Sequence, residues 1–432
     1  MTSNYRKIGD FIQLVDERNK DLKVTKLLGL SISKQFIPSV ANTIGTNMKN
    51  YKIIRKNQFA CSTMQVRRDK KMPVALSQDF EEAIISQAYP VFEVVDETQL
   101  NPEYLMMWFS RSEFDRHACF LAVGGVRGSL EWEDFLEMPI PIPSIEKQRE
   151  IVKEYNTIVN RIKLNETLNQ KLEETAQALY KHWFVDFDFP ITKKSCPELV
   201  SGSPELEGKP YKSSGGEMVY NAELDVEIPE GWEVNEIDSL IDYNYSNYSK
   251  EDSFESIYYL DTSSITENKI EELQHLIVSE DVIPSRAKRK VEHNDIVYST
   301  VRPNLKHYGL IKNPEENMLV STGFMVIKPK QDSISSELLF LCLTSAEITK
   351  YLHAKAEMSV STYPSIKPED ILEIKLALPN DYSNSLLEHI EKMLRPFFKN
   401  HWVKNEENKK LFKMKDLILS KMSKVETKTV VI

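Results

Sequence analysis

A run of apolar residues at helical spacing constrains this chain more than anything else in it. Ile151, Tyr155, Ile158, Ile162, Asn165, Asn169, Leu172, Ala176, Leu179 and Trp183 follow one another at alternating steps of four and three. That is the seam of a helix that pairs with another helix. Pro143 precedes the run, Ser144 can cap it, and Gln148 is placed for a loose capping box. No Pro or Gly interrupts it before Pro190. At the rise of an α-helix, residues 144–187 predict a rod of about 60 Å, more than a globular domain of ordinary size needs. A long helix buried in an α-rich core is the competing reading. Asn165 and Asn169 within the seam favour the paired rod, because amides there set register at a cost in stability.

A second rod closes the chain. Leu387, Ile390, Leu394, Phe397, His401, Lys404, Asn408, Leu411, Lys415, Ile418 and Met422 repeat the spacing, again with a polar middle and apolar ends. Asn169-Gln170-Lys171-Leu172 is echoed by Asn408-Lys409-Lys410-Leu411. Pro396 should kink this helix or mark the end of its first turns.

The same signature precedes each rod. Glu133-Asp134-Phe135-Leu136-Glu137 runs into a Pro-Ile-Pro-Ile-Pro stretch ending at Pro143, and Glu369-Asp370-Ile371-Leu372-Glu373 runs into a strand-like stretch ending at Pro379, 236 positions later. Upstream, Lys56-Asn57-Gln58-Phe59 with Ser62-Thr63 answers His293-Asn294-Asp295-Ile296 with Ser299-Thr300 at an offset of 237, and Glu103-Tyr104-Leu105 answers Glu337-Leu338-Leu339 at 234. The common order and near-constant offset predict an internal repeat of one unit, a globular domain followed by a long helix. The expected division is a first globular domain over 1–143, a first long helix over 144–187, a linker over 188–220, a second domain over 221–379, a second long helix over 380–424 and a tail over 425–432.

Within the first domain, residues 51–64 and 88–95 read as strands and 103–119 as a helix. In the second, 257–260, 295–300 and 323–328 read as strands and 337–353 as the matching helix. The fold class expected is α+β: two mixed α/β domains joined by two long helices, related by a pseudo-two-fold. The linker, with Pro190, Pro197, Pro204, Pro210 and four glycines, reads as flexible. About 33 flexible residues span on the order of 30 Å, half the rod's length, so the second rod should run back antiparallel along the first as a central coiled coil.

Composition bounds the function. Hydrophobic content of 41% and charged content of 28% fit a soluble protein of two to three domains. Cys61, Cys119, Cys196 and Cys342 form no CxxC and read as reduced thiols, which points to the cytoplasm. Arg6, Lys7 and Asp10 stand where a signal peptide would need an apolar core, and no apolar run reaches membrane-spanning length. No phosphate loop or dinucleotide fingerprint occurs, the histidines lack metal-ligand spacing, and Asn101-Pro102-Glu103-Tyr104 lacks the second Pro of an amino-methylation motif. Asp370 with Glu373-Ile374-Lys375 has the outline of a nuclease triplet, but it coincides with the repeated junction between domain and rod. A catalytic or metal site is therefore not expected.

Two basic stretches remain in a chain of net charge −10. The first includes Lys49, Lys52, Arg67, Arg68, Lys70 and Lys71. The second includes Arg286, Lys288, Arg289, Lys290, Arg302, Asn304, Lys306 and His307. They fall at equivalent places in the two copies. Clustered cations neutralise phosphates, and Arg, Asn and His beside them can reach base edges, so these residues, with Arg127 and Tyr363, are the candidate DNA-binding set. Their alternative is a solvated surface, and with it a coiled-coil adaptor that reads no DNA sequence.

These strings resemble the specificity subunit of type I restriction-modification systems. The end of the first rod, Gln177-Ala178-Leu179-Tyr180-Lys181-His182-Trp183-Phe184-Val185-Asp186-Phe187, the linker string Lys209-Pro210-Tyr211-Lys212-Ser213-Ser214-Gly215-Gly216 and the domain opening Ile228-Pro229-Glu230-Gly231-Trp232 are similar to that family's, over nearly the whole chain. The first domain lacks the Ile-Pro-x-Gly-Trp opening. The resemblance implies a non-catalytic reader of double-stranded DNA whose two recognition domains each read half of a split target, with the helices setting the gap. It further implies two modification (methyltransferase) subunits carrying S-adenosylmethionine, and restriction (translocase/nuclease) subunits using ATP and Mg2+, with no cofactor on this chain.

Overall fold

The structure, a computed structural model, describes residues 5–39, 46–125, 128–193, 196–249, 251–331, 333–359, 363–380 and 385–422. Two units make up the chain: residues 1–164 with 408–432, and residues 165–407. The tail expected over 425–432 and the candidate Arg127 lie outside the described residues. No helix among the described residues is long and apolar enough to cross a membrane.

In the first unit the strands are β1 (Tyr5–Lys7), β2 (Ile12–Val15), β3 (Leu27–Leu30), β4 (Phe36–Pro38), β5 (Lys52–Arg55), β6 (Phe59–Cys61), β7 (Val74–Leu76), β8 (Glu82–Ile85), β9 (Val91–Val94) and β10 (Pro139–Pro141). They form one sheet of order β2-β9-β6-β7, a second of order β4-β3-β8-β5, and the pair β1-β10. All the pairings are antiparallel except β3 with β8. Alternation along β6 and β9 explains the layering, because successive side chains point to opposite faces. Phe59, Cys61 and Phe92 join Tyr104, Phe109 and Phe135 in one core, whereas Ala60 and Val91 join Leu28, Ile54 and Ile85 between the sheets.

The second unit repeats this plan. Its strands are β11 (Met218–Asn221), β12 (Val226–Pro229), β13 (Trp232–Glu236), β14 (Ile241–Tyr243), β15 (Ser256–Leu260), β16 (Ile265–Thr266), β17 (Lys269–Ile270), β18 (Gln274–Ile277), β19 (Ala287–Lys290), β20 (Ile296–Ser299), β21 (Tyr308–Leu310), β22 (Met318–Ser321), β23 (Phe324–Pro329) and β24 (Lys375–Pro379). The sheets run β14-β23-β20-β21 and β18-β15-β22-β19, with the pair β13-β24. Strand for strand this is the first unit's order, including the one parallel neighbour, β15 with β22. The first domain has no Ile-Pro-x-Gly-Trp opening, yet β1 pairs with β10 as β13 pairs with β24. At Gly231 the motif supplies a left-handed turn into β13, φ 78°.

The long helices span Ile145–Tyr180 and Ser385–Lys421. Every described position of the two predicted seams is buried or half-buried. In the first unit Ile151 and Val152 share a core with Leu419 and Met422. In the second, Ala176, Tyr180 and Trp183 share one with Leu386, Leu387, Ile390 and Leu394. Each unit thus holds the beginning of one helix against the end of the other, and the pair is antiparallel. Ser144 caps the first helix as expected, its Oγ accepting from Lys147 N at 3.3 Å. Pro396 does not end the second helix, which continues through it.

Several expectations need correction. Gln148 forms no capping box: its fully buried amide donates to the Gln99 and Pro143 carbonyls and accepts from Asn101 N. Residues 51–64 make two strands, turned at Asn57 with φ 63°. The helix expected over 103–119 is two, Pro102–Phe109 and Ser112–Leu121, and the one expected over 337–353 is Ser336–Leu343 and Ala346–Glu357. In both places a residue with extended backbone, Arg111 or Ser345, starts the second helix. The linker is not a free coil. Phe189 stacks on Tyr211 at 4.7 Å and on Trp232 at 5.3 Å, Asp188 accepts from Ser213 N and Oγ, and Ile191 and Val200 are buried. Its random-coil reach therefore cannot be the reason for the antiparallel arrangement; the shared cores are.

Candidate nucleic-acid interface

The repeat places one short helical turn at the same point of each domain. After β6 the chain passes Gln65 (φ 64°), makes a turn over Val66–Asp69 and leaves through Lys70 (φ 51°). After β20 it passes Arg302 (φ 50°), makes a turn over Pro303–Leu305 and leaves through Lys306 (φ 56°). Non-glycine residues at such φ are strained and tend to cluster at functional loops. One backbone bond holds each turn's approach: Leu130 N donates to Thr63 O at 2.9 Å, and Ile366 N to Thr300 O at 2.8 Å.

Side chains fasten the turns further. Arg67 donates from Nη2 to the Ala122 carbonyl at 2.7 Å and from Nη1 to Gly124 at 3.2 Å. Close packing accompanies this, for a Cβ on Gly128 would sit 2.7 Å from the Arg67 Cβ. Arg302 donates its backbone N–H to Pro364 at 2.9 Å and lays its guanidinium over the Tyr363 ring, 5.0 Å from the centroid. Asn304 beside it is exposed, as are Arg302 and Tyr363. Lys306 pairs with Glu267 at 2.6 Å, and His307 Nδ1 lies 2.6 Å from the Ile265 carbonyl, which fixes its proton on that nitrogen. The structure therefore brings Arg302, Asn304, Lys306, His307 and Tyr363 together on one loop pair.

The other candidates divide by exposure. Lys49, Lys70, Lys71, Arg286 and Lys288 are exposed, and Arg68 is half-exposed but paired with Asp69 at 2.6 Å. Lys52 turns inward, donating to the Tyr89 carbonyl at 3.0 Å, and burial pushes its pKa down. Arg289 is also drawn inside, bonded to the Asn244 side chain and the Phe324 carbonyl, with desolvation lowering its pKa. Lys290 is held by Asp252 at 2.5 Å. Such intradomain bonds hold strand edges and compete with phosphate contact. The stretches around Lys49 and Arg67 lie on different sheets, since β5 and β6 belong to separate ones.

Sequence reasoning missed Gln65. The offset of 237 aligns it, and not Arg67 or Arg68, with Arg302. Charge drew attention to its neighbours, and the repeat itself was the available signal. Asp370 of the nuclease-like triplet accepts from Lys367 N at 2.8 Å and so caps a helical turn. Lys375 of that triplet is paired with Glu223 instead, at 2.8 Å. Among the described residues no group of three or more His, Cys, Asp or Glu is placed to hold a metal ion.

Known proteins resemble this arrangement. The family model described as the type I restriction modification DNA specificity domain matches residues 2–174 and again 229–422, one match per repeat. The HindI specificity subunit of Haemophilus influenzae is 31% identical over 140 residues, 32% of this chain and 30% of that protein. The MjaIX specificity subunit of Methanocaldococcus jannaschii is 30% identical over 139 residues, 32% of this chain and 27% of that one. The aligned stretches thus span less than a third of either relative's length. A crystal structure of the S subunit of a type I restriction-modification system from M. genitalium superposes with a TM-score of 0.54, covering 97% of this chain and 95% of that one at 13% identity, a likeness of fold. With both repeats matched over most of its length, the chain belongs to the type I restriction modification DNA specificity family.

Proposed function

We propose that this chain is the DNA sequence-specificity subunit of a type I restriction-modification complex, each of its two domains reading one half of a bipartite target. One observation carries the reading: two domains of the same strand order each present, at the same point after the same strand, a short turn entered and left through residues with left-handed backbone. The family is one of DNA-recognition subunits without catalysis or a cofactor of their own. On this reading residues 1–143 and 221–379 are the recognition domains and the two long helices fix the gap between half-sites and dock two methyltransferase subunits. Residues 188–220 then act as a folded collar at the end of the first helix. Those partners carry S-adenosylmethionine, and restriction subunits use ATP and Mg2+. Arg302, Asn304 and Tyr363 are the side chains best presented to base edges, and Lys49, Lys70, Lys71, Arg286 and Lys288 to phosphates.

Replacing residues 1–143 with another family member's domain and mapping methylated adenines tests the proposal. One half-site should change and the other persist. A change in both halves, or in neither, sinks independent reading. The internal pairing of Lys52, Arg289 and Lys290 favours a second reading, a helical adaptor without sequence-specific reading. Purified chain with its methyltransferase subunits should bind mixed duplex DNA with a steep salt dependence; salt-independent binding would support the adaptor.

A further inference from the structure

Each reading turn leaves through a lysine with left-handed backbone, but the two exits are fastened to different parts of the molecule. In the first domain Met72 N, just past Lys70, donates to Asp115 Oδ1 at 3.0 Å, and the same oxygen accepts from Lys34 Nζ at 2.8 Å. Lys34 comes from the short connection between β3 and β4, residues 31–35, and donates to the Phe109 carbonyl as well. That exit is thus tied to its own domain's helical pair. In the second domain the matching connection, residues 261–273 between β15 and β18, is longer and folds into the hairpin β16–β17. Its tip is Glu267 (φ 43°) and Asn268 (φ 63°), two successive residues in the left-handed region, as a tight two-residue hairpin turn requires.

On one side this hairpin grips the exit of the reading turn. Glu267 N donates to the Lys306 carbonyl and Asn268 N to the Tyr308 carbonyl, both at 2.9 Å, and Leu310 N donates to Asn268 Oδ1 at 2.9 Å. Lys306 adds its ion pair with Glu267, and His307 its bond to the Ile265 carbonyl. A Cβ on Gly309 would collide with Ile265 Cδ1, so glycine is what lets the hairpin lie this close. On the other side the hairpin meets both long helices. Asn268 Nδ2 lies 3.5 Å from His401 Nδ1, and Lys269 Nζ pairs with Glu166 at 2.8 Å. Asn268 also lines a narrow cleft with Leu172, Glu173 and Ala176 of the first helix and Phe397 of the second. The one short side chain therefore faces the reading turn's exit strand with its oxygen and the helix pair with its amide.

Resting on the proposed DNA reading, we infer that the hairpin is a strut and Asn268 a positioning residue: together they set where the second reading turn stands against the helices, and so which gap between half-sites the complex accepts. Each base pair added to the gap moves the far half-site by about 3.4 Å along the duplex and about 35° around it. A turn mounted on both helices resists that displacement, whereas a turn held only by its own domain can follow part of it. The exposed pair of Lys269 with Glu166 is a weak mount alone. Asn268 stiffens it, because backbone bonds hold its residue on one face and the cleft holds its side chain on the other.

The test uses the full chain assembled with its methyltransferase subunits. Duplexes carry the mapped target with its gap unchanged, shortened by one base pair or lengthened by one. Methyl transfer by the wild-type complex should fall on either altered gap by as much as a wrong base pair costs, about tenfold or more. Asn268→Ala should remove most of that loss on one altered gap, while single-base changes in each half-site cost what they cost the wild type. Gly309→Ala, which pushes the hairpin off the turn, should act in the same way. Lys269→Glu should relax the gap less, and Lys269→Glu with Glu166→Lys should restore it, a rescue that a general loss of stability would not show. Both of those side chains are exposed, so the exchanged pair tests the strut even where Asn268→Ala fails to fold. Unchanged gap preference in Asn268→Ala and Lys269→Glu, no rescue by the exchanged pair, or a wild-type complex that reads its half-sites at any gap overturns the strut and leaves the reading function standing. Relaxed base preference in the second half-site without a relaxed gap also overturns it, by making the hairpin part of the reading surface. A wild-type complex with no preference for its half-sites overturns both.

Discussion

Asn169 donates from its side-chain amide to the Asn405 side-chain oxygen at 2.7 Å, from one long helix to the other. Asn405 in turn lies 3.4 Å from His401 Nδ1, which is 3.5 Å from the Asn268 amide, so a polar layer crosses the second unit's helix pair. Asn169 and His401 are both more than nine-tenths buried. Asn169→Leu and Asn405→Leu, made singly, should each leave the other amide short of a partner and destabilise by about 1–3 kcal/mol. The double change Asn169→Leu with Asn405→Leu should recover part of that loss, because removing both polar groups removes the desolvation cost. Thermal melts of the two singles and the double close the cycle; independent, additive losses would show that the pair is not coupled.

The same layer makes stability depend on pH in two opposing ways. Burial lifts half-buried Glu173 to about 7, with Glu267 adding to the lift and Lys306 opposing it. Its folded form holds a proton that the unfolded chain releases near the ordinary carboxylate value, so this group's contribution falls as pH rises from about 4.5 through 7. Burial pushes His401 down to about 4. The unfolded chain binds that proton more readily, so the imidazole's contribution rises between about 4 and 6.5 and is complete above. Melting temperature against pH should therefore climb more steeply between 4.5 and 6.5 in Glu173→Gln than in the native chain. In His401→Gln it should decline across that window. Parallel curves for all three proteins would refute the assignment.

Trp183 is buried at 4% exposure, its ring centroid 5.6 Å from that of His389. Trp183→Ala should cost about 3–5 kcal/mol of stability. An unchanged melting temperature would place the ring in solvent.

Arg302→Ala, in the assembled methyltransferase, should relax or abolish methylation through one half-site only, with a cost of about 1–3 kcal/mol at particular positions if it reads a base. Uniform weakening on every sequence would make it a phosphate contact. Arg67→Ala should act on the opposite half-site. Because Arg67 holds the carbonyls of Ala122 and Gly124, its effect should travel through loop position, and Arg67→Lys should rescue it poorly.

The seams and the repeat were legible in the sequence because each leaves a periodic trace: burial every three or four residues, or a motif recurring 234 to 237 positions on. The antiparallel direction was reached through a linker taken as a free coil, and the structure supplies a different reason, the shared cores. The breaks at Ser110–Arg111 and Thr344–Ser345 were not. Ser110 and Thr344 bond their side chains to the carbonyls four residues back, Met106 and Phe340, a local choice that an apolar pattern does not record. Composition misled over residues 188–220. Proline and glycine read as a loose tether, while Phe189, Tyr211 and Trp232 stack across a distance no local pattern reveals. Cations in sequence clusters were likewise read as free charge. Partners such as Glu267 for Lys306 and Tyr89 for Lys52 are about forty residues distant, and only the folded chain introduces them.

The core that Ile151 and Val152 share with Leu419 and Met422 has a consequence for how the protein is made. The domain over residues 1–143 is synthesised before either helix, yet Leu419 and Met422, which complete its core, follow Ile151 and Val152 by about 270 residues. At the usual pace of translation that interval is on the order of tens of seconds. For that time the start of the first helix keeps an apolar stripe open to water. Nascent chains should accordingly show late protection from proteolysis at that domain, and would be exposed to chaperone capture until residues 419–422 have emerged.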